Sequence, residues 1–130
     1  MIILTIRTDK PDAEIGLYQD LERRSYEVWT AHRQLSATIH QKLKQLLEAE
    51  QCDWKDIEGV IVFAGPGSFT GLRIGAAVGN ALSQALTVPI VGAVNPRWIE
   101  TGIDRLVRGE DDVVVVPEYG AEVHITPQKK

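Results

Sequence analysis

The stretch Gly65-Pro66-Gly67-Ser68-Phe69-Thr70-Gly71-Leu72-Arg73-Ile74-Gly75 joins two segments with different hydrophobic patterns. Before it, residues 57–63 end in a continuous apolar run, which is typical of a strand covered on both faces. After it, residues 70–86 are mostly apolar over the length of a helix, and Pro89 follows the expected helix end. We therefore predict a strand, a glycine-rich loop and a helix, a setting in which backbone amides and the helix dipole can hold an anion.

Three motifs that carry chemistry have similar loops, and this sequence departs from each of them. A P-loop needs a lysine followed by serine or threonine after its last glycine, but Leu72 and Arg73 take those places. A dinucleotide fingerprint spaces its glycines more closely and has an acidic residue at the end of the next strand, where this chain has Asn95. A nucleophile elbow needs a glycine two residues before its serine, and Pro66 stands there before Ser68.

The same loop also has a purely structural explanation. Gly65 and Gly67 can serve only to turn the chain, and Thr70 can act as the N-cap of the second helix. The local pattern therefore leaves both an anion site and a tight strand-to-helix turn open.

Glycines recur at every fourth position of the second helix, at Gly71, Gly75 and Gly79, and so line one side of it. Each costs about 1 kcal/mol relative to alanine inside a helix, which indicates that another backbone approaches closely along this side. The rest of the helix is largely apolar, whereas a helix on one face of a sheet should have a broader polar side. Either the first helix covers this surface within the chain, or part of it packs against another subunit.

The segments before the loop predict an antiparallel meander and a first helix. Three short segments rich in strand-forming residues are joined by tight turns. These segments are residues 2–7, 13–19 and 24–30. A helix over about residues 32–51 follows, because leucine and isoleucine form one apolar stripe at helical spacing. The stripe consists of Leu35, Ile39, Leu43, Leu46 and Leu47.

The segments after the second helix predict a strand over residues 89–94 and then a third helix. Asn95 has the character of an N-cap and Pro96 that of a first helical residue, and Gly109 ends the helix.

A last strand is expected over residues 113–116, with residues 123–125 extending it as a hairpin before a frayed end at 127–130. The alternation of strands and helices predicts an α/β fold, in which helices pack on a mixed sheet whose first three strands are antiparallel.

The eleven residues from Gly65 to Gly75 closely resemble the signature of the TsaB (YeaZ) family, in the same strand–loop–helix setting. Leu4-Thr5-Ile6 resembles the first strand of that family, and residues 53–63 resemble its run into the signature. The resemblance covers about residues 1–95, which we expect to form a TsaB-like N-terminal domain. Residues 96–130 are expected to be a short C-terminal helix and strand extension of the same domain, so that the chain is a short form of the family.

The resemblance implies an actin-like ATPase (ribonuclease H-like) fold and the role of a non-catalytic scaffold in the synthesis of threonylcarbamoyladenosine in tRNA. It implies a TsaD-like catalytic subunit and a TsaE-like ATPase as partners, the ability to form homodimers, and only indirect contact with tRNA. ATP and metal are expected in the partner subunits, with no cofactor and no catalytic residue in this chain. By position, the implied contact residues on the two helices are Leu35, Ile39, Leu43, Gly71, Leu72, Gly75 and Gly79.

Two features depart from the family pattern. Members usually carry Asp-Thr-Ser after the first strand, whereas this chain has Arg7-Thr8-Asp9. The loss of a carboxylate at Arg7 removes a natural partner for the metal ion of a nucleotide, which argues against ATP binding by this chain. Members also have a second domain of related fold, and this chain has only a third helix and a short tail after Val94.

The composition is that of a globular protein without a strong affinity of its own for nucleic acid. The chain has 130 residues, 44% of them hydrophobic and 25% charged, which suits one domain with a core. Its formal net charge of -4 argues against a large basic footprint. No run approaches the roughly 20 apolar residues that span a bilayer. Cys52 is the only cysteine, which is compatible with a reducing cytoplasm. Taken together with the missing apolar span, this leads us to expect a cytoplasmic protein that does not contact membranes.

A metal-dependent hydrolase is disfavoured by the histidines. His32 and His40 are about two helical turns apart, too far to share one ion, and His124 lies far along the chain. The three tryptophans are expected to be core or interface anchors. These are Trp29, Trp54 and Trp98.

Two alternatives to the scaffold subunit are retained. One is a nucleotide-binding enzyme that uses residues 65–71 as a phosphate cradle, which measurable ATP binding by the isolated chain would favour. The other is a self-assembling homodimer with a role outside tRNA modification.

Overall fold

Strands and helices follow one another along the chain in nearly the predicted order. The computed structural model describes residues 1–31 and 34–118, so the predictions for His32 and for the C-terminal residues, including the strand at 123–125, lie outside the described residues. The elements are β1 (Ile2–Arg7), β2 (Asp12–Gln19), β3 (Glu22–Thr30), α1 (Leu35–Ala49), a 3-10 turn (Trp54–Asp56), β4 (Gly59–Gly65), α2 (Phe69–Leu86), β5 (Ile90–Val94) and α3 (Trp98–Val107).

The strands form one mixed sheet in the order β3-β2-β1-β4-β5. The first three strands form the predicted antiparallel meander, in which Leu4 lies opposite Leu17. β4 runs parallel to both β1 and β5, with Val60 opposite Leu4 on one side and Ile90 on the other. Every residue of β4 is buried, as its continuous apolar run predicts. The α/β fold with a mixed sheet is confirmed, and the carboxyl ends of β1, β4 and β5 meet at one edge of it.

Helices cover the two faces of the sheet unequally. Successive side chains of a strand point to opposite faces, so Leu4 packs into the core beneath α1 and α2, whereas Ile3 packs into the core beneath α3. The core beneath α1 and α2 is the larger one, and it includes the leucine stripe of α1. The paired helices α1 and α2 therefore form one outer layer, and α3 forms the other.

The start of α2 differs from the prediction. The helix begins at Phe69, and its N-cap is Ser68 rather than Thr70. The Gly71 N–H donates a hydrogen bond to Ser68 Oγ at 3.4 Å, which satisfies one of the free amides of the first turn. The helix ends at Leu86, as predicted.

The predicted cap of α3 is wrong. Asn95 has a positive φ of 76°, which is the left-handed region, whereas an N-cap residue normally has extended backbone. The N-cap is Arg97, and the helix spans Trp98–Val107. α1 is shorter than the predicted 32–51, because Gln51 already has a left-handed φ of 55°.

The predicted strand at residues 113–116 is also wrong. Val113 has a positive φ of 66°, a costly conformation for a β-branched residue. The carboxylates of Asp111 and Asp112 accept hydrogen bonds from the N–H groups of Ile90 at 3.1 Å and Gly92 at 2.8 Å. Side chains thus occupy the edge of β5 that a further strand would need, so tertiary contacts override the strand propensity of the valines.

Candidate functional site

The glycine-rich loop connects β4 to α2 at the edge of the sheet where β1 also ends. Gly65 has a φ of 118°, and a Cβ there would collide with the carbonyl oxygen of Glu118, so this position requires glycine. The Gly65–Pro66 peptide bond is cis. A Cβ on Gly67 would lie only 2.5 Å from the Cβ of Asp9. Turning and close packing therefore account for both glycines of the loop.

Thr8 links the end of β1 to the first turn of α2 by a hydrogen bond. It is 2% exposed, and its Oγ1 donates a hydrogen bond to the Gly71 carbonyl at 2.7 Å. A Cβ on Gly71 would collide with the Thr8 carbonyl oxygen, and one on Gly75 would collide with Thr8 Oγ1. A Cβ on Gly79 would collide with the side chain of Val62 in β4. The close approach that the glycine stripe predicts is made by the residue after β1 and by β4 of the same chain.

This packing corrects both explanations of the glycine stripe. The neighbours that require glycine are neither α1 nor another subunit, because Thr8 follows β1 and Val62 belongs to β4. The cost of the glycines in helix propensity is offset by a shorter distance between α2 and the sheet. The stripe therefore carries no argument for a partner.

Arg7 and Asp9, the residues that depart from the family pattern, form an ion pair beside the loop. Arg7 Nε donates to Asp9 Oδ1 at 2.7 Å, and Arg7 Nη2 donates to Asp9 Oδ2 at 3.2 Å. The guanidinium carbon also lies 3.9 Å from the centroid of the Phe63 ring. The Asp9 side chain is 7% exposed, and its carbonyl accepts a hydrogen bond from the Ser68 N–H at 3.3 Å. A carboxylate therefore faces the glycine loop, and its charge is balanced by Arg7.

A cavity of about 300 Å³ opens beside this edge, between the end of β1 and the start of α2. Lys10 is the cation among the described residues that line it, and its Nζ lies 3.5 Å from Glu14 Oε2. A phosphate in this cavity would meet the carboxylate of Asp9 and a lysine that already has a partner. The described residues that line the cavity therefore fit the phosphates of a nucleotide poorly.

The structure brings together the residues that the family resemblance assigns to a contact, but it places most of them inside the chain. The inner side of α1 carries Leu35, Ile39 and Leu43, and at most 5% of each is exposed. The inner side of α2 carries the buried residues Leu72, Gly75 and Gly79, and Gly71 is half-buried. These residues hold the two helices on the sheet.

The outer faces of the two helices consist of other residues, which sequence reasoning did not single out. On α2 the exposed positions are Phe69, Thr70, Arg73, Ala77, Ala81, Gln84 and Ala85. On α1 they are Ser36, Ala37, His40, Gln41, Lys44, Gln45, Glu48 and Ala49. The signal that could have found them is helical periodicity, because these positions alternate with the buried stripe of each helix.

The tryptophans are anchors of the core. Trp98 is buried in α3 and packs edge-on against Phe63, with ring centroids 5.7 Å apart. Trp29 and Trp54 are partly buried against the core beneath α1, and Trp29 Nε1 donates to Thr38 Oγ1 at 3.2 Å. The prediction that they are core or interface anchors is confirmed for the core.

His40 is exposed on α1, while His32 and His124 lie outside the described residues. Within residues 1–31 and 34–118, no three histidine, cysteine or acidic side chains come close enough together to hold a metal ion. In the same part of the chain, no helix combines the length and the apolar character that crossing a membrane requires.

Comparison with known proteins gives the family of the chain. The family model described as "TsaD: tRNA N6-adenosine threonylcarbamoyltransferase" matches residues 29–95, just over half of the chain. A tRNA N6-adenosine threonylcarbamoyltransferase of Lactobacillus acidophilus is 36% identical over 62 residues, which are 48% of this chain and 18% of that protein. The tRNA threonylcarbamoyladenosine biosynthesis protein TsaB of Buchnera aphidicola subsp. Acyrthosiphon pisum is 27% identical over 128 residues, which are 95% of this chain and 55% of that protein.

Solved structures share the fold. YeaZ from Pseudomonas aeruginosa superposes with a TM-score of 0.67 at 20% identity, over 72% of this chain and 44% of that chain. RuvC of Thermus thermophilus, in complex with a Holliday junction substrate, superposes with a TM-score of 0.53 at 15% identity, over 95% of this chain and 85% of that chain. Both likenesses support the ribonuclease H-like fold.

The chain spans little more than half the length of the TsaB relative and less than a fifth of the transferase from Lactobacillus acidophilus. The part that matches the family model nevertheless contains α1, β4, the glycine loop, α2 and β5. The chain therefore belongs to the TsaD family, and within that family to the TsaB (YeaZ) proteins.

Proposed function

We propose that this chain is a non-catalytic scaffold subunit in the biosynthesis of threonylcarbamoyladenosine in tRNA, and that it binds a TsaD-like catalytic subunit through the outer faces of α1 and α2. Its place in the TsaD family and its likeness to TsaB along nearly its whole length support the role in this biosynthesis. In this proposal ATP and metal belong to the partner subunits, a TsaE-like ATPase is a further partner, and tRNA is contacted only indirectly.

The observation that carries the proposal is the outer face of α2. This helix has 18 residues, and Arg73 is the only charged one. Ala77, Ala81 and Ala85 are exposed, where a helix that faced only solvent would carry polar or charged side chains. Small side chains at a contact allow two helices to pack at an interaxial distance of about 8–10 Å. The face therefore suits a second helix better than it suits water.

The buried residues that the family resemblance assigns to the contact have a supporting role in this proposal. Ile39 and Leu43 hold α1 on the sheet, and Leu72 and Gly75 hold α2 there. They fix the relative position of the two outer faces, which then make the contact.

The charges at the glycine loop support a non-catalytic role. The side chain of Asp9 faces the loop, and its main-chain carbonyl already accepts the Ser68 N–H. Arg7 and Asp9 are paired with each other, so among the described residues this pair supplies neither an unpaired positive charge for a phosphate nor an unpaired carboxylate for a metal ion. The alternative of a nucleotide-binding enzyme is therefore disfavoured on geometric grounds.

Light scattering after size-exclusion chromatography tests the contact. The chain is measured alone and mixed with the TsaD-like subunit of the same organism, and a heterocomplex is expected. Ala81→Trp adds bulk to the exposed face of α2 and should abolish the complex. Val107→Trp is the matched control, because Val107 is 61% exposed on α3, in the opposite layer. Gly75→Trp is unsuitable, because the new side chain would collide with Thr8 inside the chain.

Three outcomes contradict the proposal in different ways. A complex that tolerates Ala81→Trp would place the contact elsewhere. A chain that stays monomeric in the presence of the TsaD-like subunit would exclude the scaffold role. Calorimetric titration of the isolated chain with Mg-ATP should give no heat of binding, and a saturable signal would restore the nucleotide-binding alternative.

A further inference from the structure

In the part of the chain that the structure describes, β5 is the last strand of the sheet, so one of its two edges pairs with no strand. The Pro89 carbonyl accepts a hydrogen bond from the Val60 N–H of β4 at 3.0 Å. Because the backbone groups of successive residues point to opposite sides of a strand, those of Ile90 and Gly92 point to the free edge. An edge of this kind is a template on which another chain can add a strand.

Residues of α3 and of the segment after it bind these backbone groups one by one. The Ile90 N–H donates to Asp111 Oδ1 at 3.1 Å, and the Gly92 N–H donates to Asp112 Oδ2 at 2.8 Å. The Ile90 carbonyl accepts from the Asp112 N–H at 2.7 Å, and the Gly92 carbonyl accepts from Arg105 Nη1 at 3.0 Å. We call these three residues, Arg105, Asp111 and Asp112, the edge cap. They satisfy both backbone groups of both residues, as a neighbouring strand would.

The edge cap is held in place by the residues around it. The guanidinium of Arg105 pairs with the carboxylate of Asp112. Asn80 of α2 binds both backbone groups of Val115, since its Oδ1 accepts the N–H at 2.8 Å and its Nδ2 donates to the carbonyl at 3.1 Å. The side chain of Val115 is 4% exposed, and a Cβ on Gly92 would lie only 2.8 Å from its Cγ1. Glycine at position 92 therefore lets the segment after α3 close on β5.

The two outer strands of the sheet differ in their own protection against strand addition. β3, at the opposite end, carries charged side chains, which disfavour pairing with another chain. These are Glu22, Arg23, Arg24 and Glu27. β5 has the sequence Ile90-Val91-Gly92-Ala93-Val94, without a charge or a proline, and such a composition favours strand addition. The strand that lacks protection of its own is the one that the edge cap covers.

We propose that the edge cap is an autoinhibitory contact, which prevents β5 of this chain from pairing with β5 of a second copy. β5 is complementary to itself in an antiparallel pair centred on Gly92, which puts Ile90 opposite Val94 and brings no charges together. Two glycines face each other at the centre, so no side chains collide there. The pair joins two five-stranded sheets into one. This inference does not depend on the proposed role in tRNA modification.

Removal of the edge cap tests the inference in the full chain. Asp111→Ala and Asp112→Ala are combined in one protein, the cap variant, in which two N–H groups of β5 lose their acceptors. Light scattering should give a molar mass that rises to about twice that of the wild type as the protein concentration is raised, because association follows mass action. The control combines Glu100→Ala with Asp104→Ala, which removes the same charge from exposed residues of α3 and should keep the wild-type mass.

Two further measurements locate the contact at β5. Val94→Pro, added to the cap variant, removes an N–H group from the free edge and should restore the wild-type mass, because an edge strand tolerates proline but a pairing strand does not. Hydrogen exchange at the Gly92 amide should be faster in the cap variant than in the wild type at low protein concentration. At high concentration it should become slow again, because pairing protects the amide.

Circular dichroism and thermal unfolding show whether each variant keeps the fold, and Asp112→Ala alone is measured in the same way where the cap variant does not fold. Concentration-dependent association that protects the Gly92 amide and is lost with Val94→Pro supports the inference. A folded cap variant that keeps the wild-type mass at every concentration overturns it. Association that Val94→Pro leaves unchanged, or that the control shows equally, overturns it as well. Binding of the TsaD-like subunit is measured separately with Ala81→Trp, so the proposed function stands or fails on its own.

Discussion

The hydroxyl of Thr8 donates a hydrogen bond to the carbonyl of Gly71 at 2.7 Å, and this bond joins the end of β1 to the first turn of α2. Both residues belong to segments that hold a nucleotide in many α/β proteins, the turn after the first strand and a glycine-rich loop before a helix. Here the two segments are packed directly on each other. The glycine signature of this chain is therefore explained by helix–sheet packing, and the opposite side of the same helix carries exposed residues such as Ala77 and Ala81.

Gly75→Ala should destabilise the protein by about 1–3 kcal/mol, because the added methyl collides with Thr8 Oγ1 in a tightly packed contact. Urea unfolding followed by circular dichroism measures the change in the free energy of unfolding. In a Thr8→Ala background the collision is removed, and the same substitution should then stabilise α2 by up to about 1 kcal/mol through helix propensity. Equal effects in the two backgrounds would show that Gly75 and Thr8 are not coupled.

Arg105→Met should destabilise the protein by about 1–3 kcal/mol, because the carboxylates that cap the edge of β5 lose their cation. Arg105 Nε donates to Glu110 Oε1 at 2.6 Å, Nη1 donates to the Gly92 carbonyl at 3.0 Å, and the guanidinium also pairs with Asp112. Hydrogen exchange should become faster at the Gly92 amide. Arg108→Met is the control, since the ion pairs of Arg108 are exposed and its loss should cost less than about 0.5 kcal/mol.

The contribution of Asp112 to the free energy of unfolding should depend on pH. Burial raises the pKa of Asp112, but hydrogen bonds from the Arg105 side chain and the Gly92 amide lower it, and the net pKa is below its ordinary value. Because the pKa is lower in the folded than in the unfolded state, the stabilisation is complete above the unfolded value of about 3.9 and is lost as the pH falls through the folded value.

Urea unfolding of the wild type and of Asp112→Asn between about pH 7 and pH 3 checks this dependence, since the two stabilities should converge on the acid side. A difference that does not change with pH would mean that the ionised carboxylate of Asp112 contributes nothing to stability.

Val113→Asn should stabilise the protein by about 0.5–1 kcal/mol. Asparagine tolerates the left-handed backbone that Val113 adopts at φ 66°, and the valine side chain is exposed, so little packing is lost. The shift in the urea midpoint measures the gain. Val116→Asn makes the same exchange at an exposed valine without a positive φ and should change stability by less than about 0.5 kcal/mol. A loss of stability in Val113→Asn would mean that the backbone at this position is not strained.

Much of the fold follows from local patterns. The apolar run before the loop predicts a strand that is buried on both faces, and β4 is such a strand. The leucine stripe of residues 35–47 predicts α1, and the signature from Gly65 to Gly75 predicts the family. Local patterns do not predict the absence of a strand at residues 113–116. The side chains of Asp111, Asp112 and Arg105, which lie outside that segment, occupy the edge of β5 with which such a strand would pair.

The candidate site, like the fold, can be predicted from the sequence only in part. The sequence identifies α2 as a helix with few charges, because its composition is a property of the chain alone. It did not determine which side of each helix is covered by the sheet, because a small or apolar stripe has the same periodicity whether a strand or a partner covers it.

The packing of the folded chain shows that Thr8 and Val62 contact the glycine side of α2, and that Ala77, Ala81 and Ala85 face outward. These contacts cannot be read from local patterns, because they join residues far apart in the chain, which meet only when β1 and β4 pair in the sheet.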